Sequence, residues 1–133
     1  MLRVLTFAVS TIAFLTLATT AQAQRYGRRG EYEPRSVSAL IDRVHTDLNH
    51  AYEGRHFSSG DRKRLDKAEE NLRDFAKKWE RGRFDKGELD EAIGSIQHVL
   101  DNNHLDRGER QALDDDVAQL RAMREAYDRH EIG

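Results

Sequence analysis

From residue 40 onward the chain repeats one pattern: apolar positions three or four apart with charged residues between them. Leu40, Ile41, Val44, Leu48, Ala51 and Tyr52 form a first stripe. Leu65, Ala68, Leu72, Phe75, Ala76 and Trp79 form a second. Leu89, Ala92, Ile93, Ile96, Val99 and Leu100 make a third, and Leu113, Val117, Leu120, Met123 and Tyr127 a fourth. This spacing puts each set on one face of a helix, and no stretch alternates as a half-buried strand would. Pro34 is the only proline, so nothing after it breaks a helix by that route. The pattern predicts four helices and an all-α fold.

The stripes are joined by one device used three times. Phe57-Ser58-Ser59-Gly60-Asp61, Phe84-Asp85-Lys86-Gly87-Glu88 and Leu105-Asp106-Arg107-Gly108-Glu109 each read apolar, Ser or Asp, any residue, Gly, then an acid. Ser58, Asp85 and Asp106 stand where a side-chain oxygen can accept the free amides of a first helical turn. Asp61, Glu88 and Glu109 complete a capping-box spacing and put negative charge at the positive end of the helix dipole. Gly54, Gly82 and Asn102 lie upstream, where a left-handed residue is expected to end the preceding helix. Loops this short make successive helices antiparallel neighbours.

Sliding the chain by 48 residues overlays His56-Phe57-x-x-Gly60-Asp61-Arg62-x-x-Leu65-Asp66 on His104-Leu105-x-x-Gly108-Glu109-Arg110-x-x-Leu113-Asp114. Ten of the 44 pairs between 39–82 and 87–130 are identical. One helical hairpin has been duplicated, as 35–82 and 83–130. Two units are too few for a solenoid, whereas two apolar stripes facing two others bury all four. The expected architecture for 35–133 is an antiparallel four-helix bundle built from a duplicated helical hairpin.

The opening of the chain follows other rules. Residues 1–23 carry Arg3, an uncharged apolar run from Val4 to Ala18, and Ala21-Gln22-Ala23, the order of a secretory signal cleaved near Ala23. Residues 24–34 form an arm with Arg25, Arg28 and Arg29 interleaved with Tyr26 and Tyr32, expected to be a flexible solvated linker. Beyond residue 23 the chain holds 21 basic and 24 acidic residues, so it has no basic excess to bind a polyanion and nucleic acid is not an expected partner. Cysteine is absent, which removes disulfides, thiolate metal sites and Cys nucleophiles. An exported, disulfide-free protein of the periplasm or outside the cell is the expectation, with no integral membrane segment after cleavage.

Chemistry-bearing residues are few. His50 and His98 are repeat mates, as are His56 and His104, and together they are the candidates for a Zn²⁺-, Cu²⁺- or Ni²⁺-type site. Six residues separate His50 from His56, about 240° around a helix, so one hairpin cannot present both on one face. His56 and His104 are expected instead to pack beside Tyr52 and Leu100 and meet the last carbonyls of their helices. Asp114-Asp115-Asp116 and Glu69-Glu70 read as solvated acidic faces rather than a paired-carboxylate site. One Glu-x-x-His occurs, Glu53-Gly54-Arg55-His56, at the expected end of the first helix and not on two inward faces as a di-iron bundle requires. No nucleophile elbow or phosphate-cradling glycine loop occurs, so neither an enzyme nor a cofactor is expected. Trp79, Tyr127 and Phe84 could border a partner-binding patch, with core packing as the default.

These features lead to a non-enzymatic exported binding or scaffolding module whose partner is unknown, an unidentified protein being the candidate. A His-based divalent metal binder is one alternative. In size, compartment and composition the chain also resembles the Spy/CpxP group of periplasmic stress proteins, although that group's Leu-Thr-x-x-Gln signature does not occur here. The resemblance implies an ATP-independent chaperone as a further alternative.

Overall fold

Each apolar stripe becomes a helix. The structure is a computed structural model and describes residues 34–53 and 58–132. The signal segment, residues 24–33 of the arm, and Gly54, His56 and Phe57 of the first connection lie outside the described residues. Helix α1 runs Pro34–Tyr52, α2 Ser59–Glu80, α3 Lys86–Asn102 and α4 Arg107–Asp128. The arm was expected to extend through residue 34, but Pro34 is the first helical residue, a place where its fixed φ and missing N–H cost nothing.

Each helix packs on its neighbours in chain order and α1 closes against α4, so the four form a ring around one core. That core contains the repeat mates Leu48 and Ile96, Leu65 and Leu113, Leu72 and Leu120, and Phe75 and Met123. This is the antiparallel bundle of two matching hairpins that the periodicity predicts. No helix among the described residues is long and apolar enough to cross a membrane.

The caps show the duplication in atomic detail. Ser58 and Asp106 each accept the N3 amide, and Asp61 and Glu109 each reach back to the N-cap amide, so both even-numbered helices start in a complete capping box. The start of α3 keeps half of it. Asp85 Oδ1 accepts from the Glu88 amide at 3.1 Å, while the Glu88 carboxylate accepts from Lys78 Nζ at 2.9 Å.

The two hairpins also end alike. Gly82 N donates to the Trp79 carbonyl and Arg83 N to the Lys78 carbonyl, at 2.9 and 3.0 Å. Forty-eight residues on, His130 N donates to the Tyr127 carbonyl and Glu131 N to the Ala126 carbonyl, at 3.0 and 2.9 Å. Both ends are Schellman turns, and both central residues have positive φ, 78° at Gly82 and 59° at His130. Asn102 departs from the expectation. It stays helical, and Asn103 ends α3 in an extended conformation because its side chain is drawn inward. There Asn103 Nδ2 donates to the Asp61 carbonyl at 3.1 Å and Oδ1 accepts from Arg64 Nε at 2.6 Å.

Candidate functional site

The functional candidates emerge where the two hairpins differ. Between α1 and α2 lies a groove of about 220 Å³, lined by Ile41, Asp42, His45, Glu69, Leu72, Arg73 and Ala76. Its floor is apolar and its rim is charged. His45 Nδ1 meets Glu69 Oε2 at 2.7 Å, and Asn49 Nδ2 lies 3.2 Å from His45 Nε2. A carboxylate oxygen only accepts, so His45 Nδ1 is the donor to Glu69. The other carboxylate oxygen, Glu69 Oε1, is buried without a hydrogen-bond partner.

The second hairpin shows what the fold requires at the same positions. The equivalents of His45 and Glu69 are Ile93 and Val117, both buried in the core. Stability therefore asks for apolar side chains on this seam, and the first hairpin has replaced them with a polar pair. The equivalent of Asp42 is Asp90, gripped by Arg124 through Nε to Oδ1 and through Nη2 to Oδ2, the latter at 3.2 Å. Arg124 is the repeat mate of Ala76. In the first hairpin, then, the acid is present and its arginine is missing. Ala76, in the place of that arginine, lines the groove.

A second departure lies on the seam between α1 and α4. Ala68 and Asp116 are repeat mates, and each is fully buried. The acidic run was expected to be solvated throughout, but 114, 115 and 116 point in different directions around α4 and the third faces inward. Asp116 Oδ1 accepts from Arg43 Nε at 3.0 Å and Nη2 at 2.9 Å, while Oδ2 is buried without a hydrogen-bond partner. Burial, reinforced by the facing Asp47 carboxyl, pushes the Asp116 carboxyl up to about 7 in spite of Arg43. The matching seam between α2 and α3 uses neutral groups at this level. Asn71 Nδ2 donates to the Glu91 carbonyl at 3.2 Å and to Ser95 Oγ at 3.1 Å, and Ser95 is the repeat mate of Asp47.

The aromatic candidates come together at one end of the bundle. Phe84 stacks on Tyr127 with ring centres 4.3 Å apart, and Phe75 and Trp79 approach it edge-on at 5.4 and 6.2 Å. Trp79 Nε1 donates to Ser38 Oγ at 3.3 Å. All three candidates are half-buried and packed on the core, so they close the bundle rather than border a cleft.

The histidine candidates are not gathered. His50 and His98 are exposed, with His98 Nδ1 3.0 Å from Asn102 Nδ2 on its own helix. His56 lies outside the described residues. His104 is exposed rather than packed, and arginines take the helix-end carbonyls it was expected to meet. Arg110 Nη1 donates to the Leu100 carbonyl at 2.8 Å and Arg64 Nη2 to that of Asn102 at 3.4 Å. Among the described residues no three His, Asp or Glu side chains are placed to share a metal ion.

The residues that shape both seams are those at which the 48-residue repeat breaks. His45, Glu69, Ala76 and Asp116 are each a break in the repeat, polar where the mate is apolar or small where it is large. That contrast was readable. Among the described residues, fold and site together define a closed four-helix bundle carrying a polar-rimmed interhelical groove. Comparison of the chain with protein-family models, with curated proteins and with solved structures finds no match.

Proposed function

We propose that the protein is an exported, non-enzymatic binding or scaffolding module that engages a protein partner at the groove between α1 and α2. One observation carries this reading: where the second hairpin buries Ile93 and Val117, the first sets the His45–Glu69 pair at the rim of an open groove. An apolar pair would serve the core better, so the polar pair is a cost to folding that recognition of a partner accounts for. The apolar floor of Ile41, Leu72 and Ala76 supplies contact area, and the rim supplies direction. Export is supported by the order of residues 1–23. The non-enzymatic reading rests on the chemistry of the rim, which offers one imidazole tied to one carboxylate and no nucleophile beside them.

The test is site-specific photocrosslinking in the producing cell. A photoreactive residue at Arg73, on the groove rim, should give a discrete adduct with another protein. One at its repeat mate Arg121, on the other hairpin, should not. Equal adducts from both positions, or none from Arg73, would overturn the proposal.

A further inference from the structure

The second hairpin contains a template for what the groove accepts. On that hairpin a guanidinium lies across the seam, with Arg124 held on both oxygens of Asp90 and its Nη1 on Asp128. On the first hairpin Asp42 stands in the place of Asp90 and Ala76 in the place of Arg124. Removing an arginine side chain down to alanine leaves an arginine-shaped space. The space found there is lined by Asp42 and by Glu69, whose Oε1 is buried and lacks a donor. The rim brings the Asp42 and Glu69 carboxylates together beside Arg73, with His45 Nδ1 already on Glu69 Oε2. A planar fork of N–H donors meets both requirements, pairing with Asp42 as Arg124 does with Asp90 and satisfying Glu69 Oε1.

The chain carries its own candidate occupant. Arg28 and Arg29 lie six and five residues before Pro34, where α1 begins. Asp42 is eight residues into the helix from Pro34, roughly 12 Å along its axis. Five extended residues span up to about 17 Å and six about 20 Å, so either arginine can fold back along α1 to the groove. A tether this short holds the guanidinium at an effective concentration in the millimolar range, enough to fill a site whose intrinsic affinity is weak.

We propose that the groove between α1 and α2 is an arginine-binding site, occupied within the same molecule by Arg28 or Arg29 of the segment 24–33. This rests on reading the groove as the binding site and adds the ligand class, a guanidinium side chain. A partner engaging the groove would present an arginine of its own in place of the arm's.

The experiment uses residues 24–133 with Gly30→Cys, the single thiol in an otherwise cysteine-free chain, carrying a nitroxide. Methyl resonances of Ile41, Leu72 and Ala76 should lose most of their intensity, while those of Ile93 and Leu120 on the other hairpin keep theirs. Asp42→Asn should restore the lost intensity in Ile41, Leu72 and Ala76. In Ala76→Arg, which supplies the missing side chain in place, Ile41 and Leu72 should recover. Asp90→Asn should change nothing. Equal broadening on both hairpins, or broadening indifferent to Asp42→Asn and Ala76→Arg, overturns the proposal. Broadening of isotope-labelled chains by separate spin-labelled ones also overturns it, since the occupant would then be a second copy's arm. Crosslinking at Arg73 reads partner engagement by itself, so either idea can fail while the other stands.

Discussion

Arg43 places both Nε and Nη2 on the same oxygen of Asp116, Oδ1, and leaves Oδ2 buried without a partner. A carboxylate held this way is half satisfied. Asp47 faces it from α1, and two ionised carboxyls there repel. A proton shared between them would relieve the repulsion and give Oδ2 a hydrogen bond.

Stability should therefore rise as pH falls from 8 to 5. Burial pushes the Asp116 carboxyl up to about 7 in the folded chain, from its ordinary 3.8. Between those values the native state binds more protons than the unfolded chain, so ΔG of unfolding decreases as pH increases. The gain from pH 8 to pH 5 should be about 2–3 kcal/mol. Asp116→Asn, whose amide can donate toward Asp47 and accept from Arg43, should flatten the profile and raise the melting temperature at pH 8. Urea unfolding of both chains across this range measures the difference. A profile unchanged by Asp116→Asn would show that the carboxyl is ionised throughout.

Arg43→Met should be destabilising in a pH-dependent way. At pH 8 it leaves a buried carboxylate without its countercharge and should cost about 2–4 kcal/mol, the lower part of the usual range because Arg43 is partly exposed. At pH 5 the carboxyl can be neutral, and the cost should shrink to little more than the lost packing of the arginine stem. An equal cost at both pH values would reduce the role of Arg43 to packing.

His130 should be improvable. It occupies the left-handed position that Gly82 fills in the other hairpin, with the same two hydrogen bonds closing the turn. A side chain with a Cβ pays about 1 kcal/mol or more to sit there, and glycine does not. His130→Gly should raise the stability by about 0.5–1 kcal/mol, and Gly82→Ala should lower it by a similar amount. Thermal melts of the two variants check both signs.

The fold was legible because its determinants are local and repeated. Stripe spacing, the Ser58, Asp85 and Asp106 caps and the 48-residue offset each point to the same bundle. What escaped was the direction of single side chains at the seams. Asp116 sits between Asp115, exposed and bonded to Gln111, and Val117, buried, and helical geometry alone leaves the boundary residue undecided. His104 escaped for a different reason: Arg64 and Arg110, reaching in from the starts of α2 and α4, already serve the carbonyls it was expected to meet.

Leu120→Ala and Leu72→Ala should differ although they are repeat mates and both buried. Leu120 is enclosed, so truncation leaves a closed cavity and should cost about 3–5 kcal/mol. Leu72 also floors the groove, where its neighbours can collapse or water can enter, and should cost about 2–3 kcal/mol. Equal costs in urea unfolding would mean that the groove floor is as tightly packed as the core.

The groove should trade stability against binding. In His45→Ile/Glu69→Val the first hairpin receives the side chains that the second already carries at Ile93 and Val117. The exchange removes a buried, unpartnered Oε1 and the ordering of a half-exposed hydrogen-bonded pair, and adds apolar surface on a seam already floored by Ile41 and Leu72. Replacing such a pair with packed apolar residues should raise the stability by about 1–2 kcal/mol. The same variant should lose the crosslinked adduct at Arg73, because the rim that gives the groove its polarity is gone. Folding and recognition thus pull this seam in opposite directions. A variant that gains stability and keeps the adduct would place the partner's contacts on another face of the bundle.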